Sequence, residues 1–79
     1  MNRVQVGNIM PYGYKYYKVT VYIISNPKSY FEEKLIHSEI QDLAEFFEGR
    51  YSEFLLYGEA YFSSYLIATY FIDLLKNED

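Results

Sequence analysis

The chain has 79 residues, 51% of them apolar and 22% aromatic, with eleven tyrosines, six phenylalanines, no cysteine and a formal net charge of −4. That length allows one domain, read as a single α+β unit over residues 1–79, and excludes a large core. Without cysteine there is no disulfide or thiolate metal site, so the aromatic surplus is expected to fill an unusually aromatic core or one shared by a homodimer.

Charge is unevenly placed. Residues 1–28 hold four basic and no acidic side chains, a balance of +4; residues 29–79 hold three basic against eleven acidic, a balance of −8. The bland consequence is that the two halves attract each other, within a monomer or across a dimer. The functional one is a bias in which partners approach. No apolar signal-peptide run, myristoylation glycine or CaaX box is apparent, so the expected location is cytoplasmic (host cytoplasm if the protein is viral).

The first predicted element is a β-hairpin, with strands at about 3–9 and 14–25 and a turn at Met10-Pro-Tyr-Gly13. In the second strand Val19, Val21 and Ile23 share one face, which predicts that this face is buried. The other face is a tyrosine stripe with a lysine in it. Tyr14, Lys15, Tyr16, Lys18 and Tyr22 are therefore candidates for binding a partner or a nucleic acid, through stacking and phosphate contacts.

An amphipathic helix is predicted over about 28–48, from the apolar stripe Ile36, Ile40, Leu43, Ala44 and Phe47. It opens either with Asn26 as N-cap before Pro27 or with the capping box Ser29-x-x-Glu32. Gly49 is expected to supply its C-terminal stop. Its outer side carries Glu39, Asp42, Glu45 and Glu48, with Glu53 beyond the break. This slanted acidic band is either a solvated face or a docking surface for a partner with a basic surface.

The tail has two readings: a short strand at 51–57 followed by an apolar helix at about 59–76, or one helix from about Ser52 through Gly58. In the first reading the order strand–helix–strand–helix over residues 17–76, with Gly58-Glu-Ala60 opening the last helix, is similar in pattern to Alba-type nucleic-acid-binding domains. It lacks their two closing strands and has an acidic second half, and no residue role is carried over from it. The uncharged run Ala60–Ile72 is thirteen residues long, bracketed by Glu59 and Asp73, and too short to span a bilayer. Tyr61, Tyr65, Ala68 and Ile72 are then the candidate oligomer interface, and Tyr65→Asp or Ile72→Asp is expected to split or unfold the particle.

Catalytic chemistry has little to stand on. Glu33 and His37 are spaced i, i+4, yet no nucleophile accompanies them, and an exposed helix histidine is the expected reading. No zinc, Ca²⁺-loop, dinucleotide or Walker spacing occurs, so neither a metal nor a cofactor is expected. The expectation is a small, acidic, non-catalytic protein-interaction module that blocks or regulates a macromolecule, in the manner of phage- or virus-encoded antagonists such as anti-CRISPR proteins or nucleic-acid mimics. Two alternatives are nucleic-acid binding through the hairpin and an oligomeric assembly subunit.

Overall fold

The computed structural model describes residues 3–26 and 29–77. Four strands and two helices follow in the order β1 (Val4–Tyr12), β2 (Tyr16–Ile23), α1 (Tyr30–Phe46), β3 (Arg50–Glu53), β4 (Tyr57–Phe62) and α2 (Tyr65–Asn77). The strands form one antiparallel sheet in the order β1-β2-β4-β3. Helix α1 links β2 to β3, which run parallel with β4 between them. If β1 followed α2 instead of leading the chain, the order would be the split β-α-β-β-α-β plan. The Alba-like order is superseded, because a second hairpin, β3–β4, lies between the helices.

The predicted α+β class and N-terminal hairpin are present, with the first strand longer than expected and the second shorter. Met10-Pro-Tyr12 belongs to β1 rather than to the turn, since β1 is an edge strand and an edge tolerates proline's missing N–H. The turn is Gly13-Tyr14-Lys15, and Gly13 adopts a φ of +63°, a conformation that glycine enters without steric cost. A register shift between Val6 and Ile9 marks a bulge in β1.

Helix α1 is capped by Ser29, whose side-chain oxygen accepts from the Glu32 amide at 3.1 Å. Positions 27 and 28, on which the other start and the expected first helical residue fall, lie outside the described residues. The left-handed residue at the helix end is Glu48 (φ 60°), not Gly49. Gly49 is required for another reason: a Cβ there would collide with the Phe62 ring and lie 2.9 Å from the Tyr61 carbonyl oxygen.

The tail departs from both readings. Residues 57–62 form a strand and not the start of a helix, while the strand expected at 51–57 is Arg50–Glu53. Helix α2 begins at Tyr65, where the Ser64 hydroxyl accepts from the Ile67 amide at 3.4 Å. At thirteen residues it is about 20 Å long, well short of a roughly 30 Å hydrocarbon core. No helix among the described residues is long and apolar enough to cross a membrane.

Both helices pack on one side of the sheet. Val19, Val21 and Ile23 of β2 and Ala60 and Phe62 of β4 meet Ile36, Ile40 and Ala44 of α1 and Ala68, Phe71 and Leu75 of α2. The face predicted to be buried in β2 is the one that is buried. The expected aromatic core is not what forms, since only Phe62 and Phe71 are aromatic in it and none of the eleven tyrosines belongs to it.

His37 is 1% exposed rather than solvated, because it lies three and seven residues ahead of Ile40 and Ala44 on the same helical stripe. Its Nδ1 is 2.7 Å from the Tyr51 hydroxyl of β3, and its buried Nε2 has no partner among the described residues. This contact ties α1 to β3.

Candidate functional site

Because both helices cover one side, the other side of the sheet is open. Even-numbered residues of β2 and β3 and odd-numbered residues of β4 point to it. Across the strands Lys18 pairs with Tyr61 and Tyr61 with Arg50, so a tyrosine on the central strand β4 is flanked by a cation on each side. Tyr12 of β1 reaches over the same point, its ring centroid 5.0 Å from that of Tyr61 and 5.4 Å from the Lys18 ammonium. These distances fit aromatic pairing and cation–π contact.

Glu59 holds this cluster together. One carboxylate oxygen accepts from the Tyr61 hydroxyl at 3.0 Å and the other lies 3.1 Å from the Lys18 ammonium. Arg50 has no such counter-ion among the described residues. Tyr12, Tyr16, Arg50, Ser52 and Tyr61 line a shallow depression of about 260 Å³. At the other end of the face Tyr57 stacks on Phe54, with centroids 4.7 Å apart and rings inclined by 11°, and Tyr22 lies 6.4 Å from Tyr57.

Of the hairpin candidates, Tyr16, Lys18 and Tyr22 lie on the open face as the alternation predicts, whereas Tyr14 and Lys15, expected within the strand, are in the turn at the tip. Sequence reasoning missed Tyr12, Arg50 and Tyr57, and it assigned Tyr61 to a helical oligomer interface rather than to this sheet face; the four come from three other strands. The acidic band is not a row of free carboxylates: Glu39 is paired with Arg3, and Glu53 with Lys34. Asp42, Glu45 and Glu48 remain exposed, and Glu45 also accepts from Gln41 at 3.0 Å. The attraction between the two halves of the chain is therefore realised within one molecule, through Arg3–Glu39 and Lys18–Glu59. The proposed oligomer set does not form one surface, because Tyr61 is on the open sheet face and Ala68 is in the core. Tyr65 is 57% exposed at the start of α2.

Two phenols sit in environments that resist ionisation. Burial, followed by the Glu53 charge, pushes Tyr51 far above the usual tyrosine range. Desolvation, followed by the hydrogen bond and charge of Glu59, pushes Tyr61 up to about 12. An unfolded tyrosine ionises near pH 10, so the unfolded chain sheds these protons first as pH rises. The stability these groups contribute is complete below about pH 10 and is lost as pH climbs through their folded values. Tyr51→Phe should flatten that alkaline loss while lowering neutral-pH stability by about 1–3 kcal/mol, because His37 Nδ1 loses its partner. Urea melts at a series of pH values from neutral to alkaline measure both.

Among the described residues no three His, Asp or Glu side chains are grouped to hold a metal ion. Comparison with protein-family models, curated proteins and solved structures finds no match to this chain.

Proposed function

We propose that the protein is a non-catalytic interaction module that binds a macromolecular partner through the open face of its sheet and acts by occupying or blocking that partner. The observation that carries this reading is that the fold buries so little of its tyrosine: the core is built from aliphatics and two phenylalanines, none of the eleven tyrosines is fully buried, and Tyr51 is the one that packs against the core. Tyrosine combines a large apolar ring with a polar end, which suits a surface that is wet in one state and covered in another. Tyr12 and Tyr61 are held in place by Lys18 and Glu59, so little side-chain ordering is left to do on binding. The acidic band makes a weaker case, as two of its five candidates, Glu39 and Glu53, are paired with cations of the same chain.

Two multiple variants separate the faces. Recovery of the native partner by Tyr12→Ser with Tyr61→Ser should fall at least about tenfold, the equivalent of 1.4 kcal/mol. Asp42→Lys with Glu45→Lys and Glu48→Lys should leave it unchanged. If the second variant loses the partner and the first keeps it, the acidic helix is the binding surface and this reading is wrong.

A further inference from the structure

We propose that the open face binds single-stranded nucleic acid, with bases stacking on Tyr61, Tyr12 and Tyr16 and phosphates met by Lys18, Arg50 and Lys15. This rests on the reading of that face as the binding surface and adds what occupies it. The chain as a whole is acidic, yet its charges are sorted by side. The sheet side with its hairpin tip carries three cations, Lys15, Lys18 and Arg50, against the single carboxylate of Glu59. The rest of the described chain carries three cations against eight carboxylates. Exposed rings occur on the helices as well, Phe31 and Phe46 among them, but there a polyanion meets an excess of carboxylates; it is drawn instead to the sheet face, where exposed rings stand among a net positive charge.

The cations stand between the rings rather than around them. An apolar protein surface laid on this face would bury Arg50 without an opposite charge and would cover the Lys18–Glu59 pair, at a desolvation cost it does not recover. A strand of nucleic acid supplies a phosphate for each cation and a π-face for each ring. The duplex form does not fit, because its bases are already stacked on each other and offer no free face to a flat sheet. Stacking reads no base edge, so sequence preference should be weak.

Glu59 adds a distinctive feature. Its carboxylate occupies Lys18 in the free protein, at 3.1 Å, and so competes with an incoming phosphate. It acts as a built-in brake: binding must exchange the Glu59–Lys18 pair for a phosphate–Lys18 pair. Removing its charge should therefore improve binding, the opposite of what loss of a contact residue does.

The test is fluorescence anisotropy of labelled single-stranded DNA and RNA oligonucleotides, with the matching duplex for comparison, at about 50 mM salt and then at rising salt. Single strands should bind at least about tenfold more tightly than duplex, with log K falling against log[salt] by about 0.7 for each phosphate engaged. Tyr12→Ala and Tyr61→Ala should each weaken binding roughly 5- to 150-fold, from a stacking contribution of about 1–3 kcal/mol per base. Tyr61→Phe, which keeps the ring, should bind nearly as wild type. Glu59→Gln should bind more tightly and with a salt slope steeper by about 0.7. Circular dichroism confirms that each variant is folded.

The inference is overturned if no oligonucleotide shifts the anisotropy, or if binding occurs but is indifferent to Tyr12 and Tyr61. In the first case, if the paired serine variant still loses its partner or its self-association in sedimentation, the open face is the binding surface and its occupant is a protein or a second copy. If that variant changes nothing either, both readings fail together.

Discussion

Gly58→Ala is expected to destabilise the protein by about 2–6 kcal/mol, against a total of about 4–12 kcal/mol for a domain of this size. Gly58 does not have a positive φ, so alanine suits its backbone, and the obstacle is a neighbour. A Cβ there would fall within the ring of Tyr51, which lies across Gly58 from the adjacent strand. The ring must swing away. Overpacking of this kind costs about 1–3 kcal/mol, and a further 1–3 follows because His37 Nδ1 is left buried without the Tyr51 hydroxyl. A double-mutant cycle isolates the cause: in a Tyr51→Ala background the same Gly58→Ala change should cost less than about 0.5 kcal/mol. Equal costs in both backgrounds would show that Tyr51 is not what position 58 must accommodate.

The second large effect is in α2, and it reverses an expectation drawn from the sequence. Phe71 is fully buried against Phe62, their ring centroids 4.9 Å apart, whereas Tyr65 is 57% exposed. Phe71→Ala should therefore cost about 3–5 kcal/mol and lower the melting temperature by roughly 12–40 °C. Tyr65→Asp gives up an edge-on contact with Tyr17 at 5.8 Å, worth about 0.5–1.5 kcal/mol. It gains an acid in the first helical turn, worth about 0.3–1 kcal/mol. The two nearly cancel, and a thermal melt should place this variant within a few degrees of wild type. A Tyr65→Asp protein that fails to fold would mean that this end of α2 is covered.

Much of the fold was readable wherever one face of an element is uniformly apolar. The alternation in Tyr16–Ile23 and the stripe through Ile36, Ile40 and Ala44 placed β2, α1 and the buried side of each. Strand β4 was not readable, although its period of two is present: Gly58, Ala60 and Phe62 point inward while Tyr57, Glu59 and Tyr61 point outward. Two of its three inward residues are glycine and alanine, too small to register as a hydrophobic pattern. They are small because other residues crowd them, as Tyr51 does at Gly58. That cause lies in the tertiary structure, outside any local window. The 3- and 4-residue spacing of Tyr61, Tyr65, Ala68 and Ile72 then imitated a longer helix, and Ser64 went unnoticed as its true start.

The candidate site was legible by half for a related reason. One strand's outward stripe, Tyr16, Lys18 and Tyr22, follows from alternation alone. Which side chains stand beside it depends on strand order. That order placed β4 next to β2, bringing Glu59 and Tyr61 to Lys18, with Arg50 one strand beyond. The acidic band suffered the converse error. Its residues were located correctly, but Arg3 and Lys34 were not foreseen as the counter-ions of Glu39 and Glu53.

The central claim is that this protein works through the open face of its sheet, and the most direct measurement is amide and side-chain chemical-shift mapping by NMR during titration with a short single-stranded oligonucleotide. The account predicts shifts that cluster on Tyr12, Tyr16, Lys18, Arg50 and Tyr61, with the outward residues of α1 and α2 unmoved. Shifts centred on Asp42, Glu45 and Glu48, or on Leu66 and Tyr70 of α2, would contradict it.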